Sequence, residues 1–271
     1  MKKIKKYILG LFVFLITTLW LYPFYLIIIN SFKTKSEIFQ NTLSIPKVFT
    51  LSNYVVAFEK LDFIKSTLNS FGITILSLLG VVLFSSMCAY ALSRRPSKRS
   101  DRIYFLIAMG LLVPFQGIMI PLISIFGKAN MLNRVGLIIM YYGLASSMSV
   151  FLYYGALQGI PKSIDEAAKI DGASTWQVFY RVIFPMLKST TITIIVLNSI
   201  WFWNDYLLPS LVINKPGMYT LPLKMFYFFG EFSKQWHLAL AALVIAIIPI
   251  IILFVKAQKH VLEGITEGAV K

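Results

Sequence analysis

The sequence predicts an all-α, polytopic membrane protein with six spanning helices and one polar elbow between the fourth and fifth. Three observations lead there. Hydrophobic residues make up 58% of the chain and charged residues only 14%, against roughly 25% charged in soluble domains. Uncharged apolar runs recur that reach the about 20 residues a bilayer-spanning helix needs. A polar stretch, residues 161–185, breaks the series and carries helix-start and helix-stop signals of its own. The whole of 1–271 reads as a single transmembrane domain.

Taken in order, Lys2, Lys3, Lys5 and Lys6 precede an uncharged run at 8–29. That run is too long for the apolar core of a signal peptide and no Ala-x-Ala site follows it, so it reads as a first span with its N-terminus in the cytoplasm. Residues 30–65 form a polar external loop. The second span is 68–92, where Gly72, Gly80, Ser85, Ser86 and Ala89 would let another helix approach closely. Arg94, Arg95, Lys98, Arg99 and Arg102 then crowd one short loop, the strongest cytoplasmic mark in the chain. The third span, 103–127, is interrupted by Pro114 and Pro121, with Gln116 between them. Each proline removes a backbone donor, so a kink is expected, serving either plain packing or a hinge beside a pathway.

After a short external turn at 128–134, the fourth span is 135–157. The fifth, 189–213, contains Asn198, Trp201, Phe202 and Asp205 at i, i+3, i+4 and i+7, on one helical face, with Asn204 beside them. A charged acid inside a span faces a bundle interior or a cavity. At the outer interface, near Pro209, it would simply be hydrated. Both readings of Asp205 stand on the sequence. An external loop, 214–236, leads to the sixth span at 238–255 and a tail at 256–271. Both termini then lie on the cytoplasmic side, which holds sixteen of the 26 Lys and Arg residues.

The elbow has its own grammar. Ser163 with Glu166 reads as a capping box starting a helix at Ile164. Gly172 is placed to end that helix in the left-handed conformation. Ser174 with Gln177 reads as a second capping box starting a helix at Thr175, and Pro185 closes the stretch. Ile164, Ala167 and Ala168 would share a small-residue face on the first helix. Trp176, Phe179, Tyr180 and Ile183 would form a bulky stripe on the second. Such an elbow suits either insertion into a cleft of a partner or a position flat on the membrane surface.

The net charge of +15 would suggest nucleic acid in a soluble chain. Here the basic residues sit at the ends of apolar runs, as topology requires, and no nucleic-acid partner is expected. Cys88 is the only cysteine, and His237 and His260 lie at opposite ends of the last run, so no disulfide and no metal site is expected.

The pattern Glu166-Ala167-Ala168, then Gly172, then Val182-Ile183-Phe184-Pro185 resembles the "EAA" loop of permease subunits of binding-protein-dependent ABC importers. The family's usual ending is Ile-x-Leu-Pro, from which Val-x-Phe-Pro departs mildly. Five further segments resemble the carbohydrate class of these permeases: Ser31-Phe32-Lys33 with Asn53-Tyr54, Val113-Pro114, Ile120-Pro121-Leu122, Trp201 through Tyr206, and Val261 through Gly268. The resemblance implies the type I importer permease fold in a bacterial inner membrane. Its first elbow helix would be the coupling helix, docking on an ATPase through Ser163, Asp165, Glu166, Ala167, Ala168, Lys169, Asp171, Gly172, Ala173, Trp176 and Pro185. The resemblance also implies two ATPase subunits that bind the ATP and Mg, a second related permease subunit, an extracytoplasmic sugar-binding protein and a sugar substrate. Gln116, Asn198, Trp201, Asn204 and Asp205 are candidates for the translocation path.

No Gly-x4-Gly-Lys-Ser/Thr loop occurs, so no phosphate cradle, catalytic residue or cofactor of the chain's own is expected. A membrane-embedded enzyme would need clustered His, Asp or Cys, and a secondary transporter several buried ionisable groups with inverted repeats. Neither pattern is present. An importer permease for a non-sugar solute remains the alternative to a sugar importer.

Overall fold

The computed structural model describes residues 2–231 and 235–269. Among them there is helix and irregular structure and no strand. The elements are α1 (Lys2–Ser31), α2 (Lys35–Gln40), α3 (Ser52–Lys60), α4 (Phe63–Arg94), α5 (Lys98–Met109), a 3-10 turn (Gly110–Leu112), α6 (Phe115–Lys128), α7 (Arg134–Gln158), α8 (Lys162–Ile170), α9 (Thr175–Gln177), a π-helical segment (Val178–Ile183), α10 (Phe184–Met186), α11 (Lys188–Asn204), α12 (Leu207–Val212), α13 (Leu221–Glu231) and α14 (Trp236–Ala269). Backbone packing divides the chain into two compact units. The first joins the residues through Ser66 to Lys224–Pro249, and the second joins Thr67–Leu223 to the residues from Ile250.

In the first unit, α1 carries apolar side chains that point outward along its length, as a lipid-facing helix requires. The loop after it is held by buried amides. Asn53 Nδ2 donates to the carbonyls of Ser31 (2.8 Å) and Lys33 (2.9 Å), and Asn30 Nδ2 donates to that of Thr42 (2.9 Å). Lys33 is buried and its Nζ donates to Asn41 O at 2.9 Å. Ser31 and Tyr54 pair through their hydroxyls, and the Phe32 and Tyr54 rings lie 4.9 Å apart. The two short carbohydrate-class segments, some twenty residues apart in sequence, therefore close on each other. Ala57 and Leu61 pack with Met225, Phe228, Leu238 and Ala242 to form this unit's core.

The second unit is built around α7. Leu137, Met140, Tyr141, Ala145, Tyr153 and Leu157 are buried along its whole length. Asn133 caps its start, accepting from the N–H groups of Val135 and Gly136. On α4, Ser85, Ser86 and Ala89 are buried as small-residue packing predicts, and Gly80 faces the Tyr142 ring so closely that any Cβ would collide. Gly72 has open space instead and makes no such approach.

Among the described residues three helices are long and apolar enough to cross a membrane, Lys6–Ser31, Phe63–Arg94 and Arg134–Gln158, or up to five spans if each of two bent helix pairs counts as one. The expected third span is two pieces, Lys98–Leu112 and Phe115–Lys128, meeting at 108°. The cause is local: Pro114 has no N–H to give, and it forces Val113 into an extended conformation (ψ 113°). Pro121, by contrast, is accommodated inside α6. The expected fifth span is also divided, α11 ending at Asn204 and α12 starting at Leu207. The expected sixth span lies within the last helix, which runs from Trp236 to Ala269. Side chains of the Val261–Gly268 segment lie outside the described residues, as do Met1, Phe232, Ser233, Lys234, Val270 and Lys271.

Candidate functional site

The elbow runs from α8 through α10. Its first helix starts at Lys162 with Pro161 at the cap position and no side-chain cap. Ser163 is therefore inside the first turn, and the expected Ser163–Glu166 capping box does not form. Proline pre-sets the backbone entry at Pro161, which starts the helix two residues earlier than the hydroxyl signal suggested. Gly172 behaves as expected, with φ at +84°. Its N–H bonds to Lys169 O and that of Ala173 bonds to Ala168 O, both at 3.0 Å, a complete Schellman stop. The second capping box is present: Gln177 N donates to Ser174 Oγ, and Ser174 N donates to Gln177 Oε1 at 2.7 Å.

The second elbow helix is then wound as a π-helix over Val178–Ile183. The wider turn changes which side chains share a face. Val178, Phe179 and Ile183 are buried, while Trp176 and Tyr180 point outward, so the expected four-residue stripe is split.

The faces of α8 divide cleanly. Ile164 and Ala168 pack against the core of the second unit, and Asp165 between them is only 5% exposed. Ser163, Glu166, Ala167 and Ile170, at i, i+3, i+4 and i+7, form the exposed face. Lys169, Asp171, Gly172, Trp176 and Pro185 are also exposed, and Ala173 is half-buried on the core. Ala168 and Asp165 are thus on the opposite side from Glu166. Ile170 is 86% exposed and adds a large apolar side chain that the motif residues do not include. Its signal in the sequence is its place one turn beyond Glu166 and Ala167.

Asp165 is the charged contact of the elbow. Its Oδ1 accepts from the Tyr90 hydroxyl at 2.7 Å, and its Oδ2 lies 3.0 Å from Arg94 Nε as an ion pair without hydrogen-bond alignment. Arg94 Nη1 reaches on to the carbonyls of Ile160 (3.1 Å) and Leu157 (3.5 Å), at the C-terminal end of α7.

The candidate path residues are dispersed. Asn198 is buried, its Nδ2 donating to Ile194 O (2.9 Å) and Ser149 Oγ (3.4 Å). Asn204 is exposed and donates to Ile200 O, and Gln116 is exposed. Asp205 is half-buried. Its Oδ1 accepts from the N–H groups of Leu207 (2.9 Å) and Leu208 (3.3 Å), and its Oδ2 accepts from the Tyr141 hydroxyl (2.9 Å). It ends α11 in an extended conformation and caps the start of α12. Trp201 alone of these residues lines a cavity of about 760 Å³, with Val113 and Phe115 at the proline break and Met140, Gly143 and Ser147 on α7. No cluster of His, Cys, Asp and Glu suited to a metal occurs among the described residues.

Residues 81–266 match the family described as binding-protein-dependent transport system inner membrane component. The chain is 51% identical over 268 residues to the probable starch degradation products transport system permease protein AmyC of Thermoanaerobacterium thermosulfurigenes, covering 99% of this chain and 98% of that one. It is 38% identical over 256 residues to the multiple sugar-binding transport system permease protein MsmG of Streptococcus mutans, covering 93% and 92%. Among solved structures, a chain of a bacterial ABC transporter involved in import of the acidic polysaccharide alginate superposes with a TM-score of 0.78 at 25% identity, covering 95% of this chain and 96% of that one. With its apolar spanning helices and an elbow lying inside the matched region, this chain belongs to the family of inner membrane components of binding-protein-dependent transport systems.

Proposed function

We propose that the chain is one permease subunit of an ATP-driven importer for a sugar or oligosaccharide, and that α8 docks on a separate ATPase subunit. The observation that carries the docking is the division of α8: one side is packed and ion-paired to its own chain, and the other leaves Ser163, Glu166, Ala167 and Ile170 exposed. An exposed helix with an alanine, an acid and a large apolar side chain on one face fits a groove with an apolar floor and a cation at its rim. The names of the two relatives, which specify starch degradation products and multiple sugars, support the substrate class. The family description supports delivery by a binding protein. A second, related permease chain and two ATPases that hold ATP and Mg complete the proposed assembly. Both termini and the elbow lie on the cytoplasmic side in this reading, supported by the basic residues at 2–6 and 94–102. ATP binding closes the ATPases, α8 moves with its groove, and the spanning helices open toward the binding protein, which releases sugar into the path.

The test is retention of the ATPase on affinity-purified permease, with sugar uptake measured in parallel. Glu166 makes no cap, so Glu166→Gln and Glu166→Ala should leave the helix equally intact. Both should weaken ATPase retention, by the about 1.5–3 kcal/mol of one charge-assisted bond. Full retention and normal uptake in both variants would overturn the docking.

A further inference from the structure

The contact that fastens α8 to its own chain joins three helices at one charge. Arg94 is the last residue of α4, and its guanidinium lies between two helix ends. On one side are the carbonyls of Leu157 and Ile160, at the C-terminal end of α7, where the helix dipole favours a cation. On the other is Asp165 in the first turn of α8, where the helix dipole favours an anion. Tyr90, one turn before Arg94, closes the group by donating to the remaining Asp165 oxygen at 2.7 Å. The Arg94 and Asp165 side chains are only 11% and 7% exposed, so water neither screens nor replaces the pair.

Apolar packing of Ile164 and Ala168 would hold α8 on the body, but such contacts are non-directional and let a short helix slide or roll. Separating a buried acid from its guanidinium and phenol leaves an uncompensated charge and is costly, so the pair resists displacement of α8 relative to the ends of α4 and α7.

We propose that Tyr90, Arg94 and Asp165 form a buried joint that transmits displacement of α8 to α4 and α7, so that they act as positioning residues for coupling rather than for docking. This rests on the docking reading above, but it concerns the opposite face of the helix, so the two can fail separately.

The experiment reconstitutes the complete complex, with ATPases, partner permease and binding protein, in proteoliposomes and reads three quantities: ATPase retained, stimulation of hydrolysis by sugar-loaded binding protein, and sugar imported per ATP hydrolysed. The last is a ratio and does not depend on how much complex folds. Asp165→Asn removes the charge and keeps the size. It should retain the ATPase at wild-type stoichiometry while sugar per ATP falls about tenfold and stimulation is largely lost. Tyr90→Phe removes one hydrogen bond and should lower the ratio two- to threefold, and it decides the matter if Asp165→Asn does not assemble. Asp165→Glu, which keeps the charge, should recover part of the loss. A wild-type ratio in Asp165→Asn, or in Tyr90→Phe where only that variant assembles, overturns the joint. If Glu166→Ala sheds the ATPase while Asp165→Asn couples normally, only the joint fails. If Glu166→Ala keeps the ATPase and transports normally, the docking reading fails first.

Discussion

The elbow and the break between α11 and α12 are both polar interruptions of an apolar chain, and each holds one acid tied into hydrogen bonds, Asp165 buried and Asp205 half-buried. The acids do opposite work. Asp165 is met by a full cation that belongs to another helix end, and so ties α8 to α4 and α7. Asp205 is met by two backbone N–H groups of its own segment and by the neutral Tyr141 hydroxyl. Its main effect is local: it stops one helix and starts the next. An acid within an apolar stretch can thus tie distant helices together or organise its own segment. What faces each oxygen decides its role.

The comparison is easiest to break at Arg94. Arg94→Met leaves Asp165 buried without its counter-charge and should destabilise the purified protein by about 3–5 kcal/mol, read as a fall in melting temperature. Adding Asp165→Leu should recover most of that loss, because replacing both members of a buried pair by apolar side chains is close to neutral for folding. Failure of the second substitution to recover stability would show that the carbonyls of Leu157 and Ile160 need the guanidinium more than Asp165 does.

At the other acid the effect should be smaller. Asp205→Ala removes a helix cap and strands the Tyr141 hydroxyl, together about 1–3 kcal/mol. Asp205→Asn keeps an oxygen for the two N–H groups and should cost less than half as much, with uptake near wild type. A transport defect in Asp205→Asn at unchanged melting temperature would return Asp205 to the path.

The smallest effect sharpens the contrast within the elbow itself. Ser174→Ala deletes a cap that is made on both sides and should cost about 1 kcal/mol. Ser163→Ala deletes an exposed hydroxyl that caps nothing and should stay within about 0.5 kcal/mol. Equal losses for the two serines would mean that α8 is capped by Ser163 after all.

The amino-acid sequence by itself determined the all-helical membrane class, the position of the elbow, the stop at Gly172 and the start at Ser174. These are written in short windows: an apolar run satisfies its own backbone as helix, and a glycine or a capping pair acts within four residues. The tertiary structure decided the rest. It set which side of α8 is exposed, because Asp165 finds Tyr90 75 residues away in sequence and Arg94 beside it. It set the angle of the break at Pro114, 108°, which a proline in a sequence does not specify. It wound Val178–Ile183 as a π-helix and so buried Phe179 while leaving Trp176 and Tyr180 outside. Burial and pairing depend on residues far along the chain, and no periodicity in a local window records which partner an acid will meet.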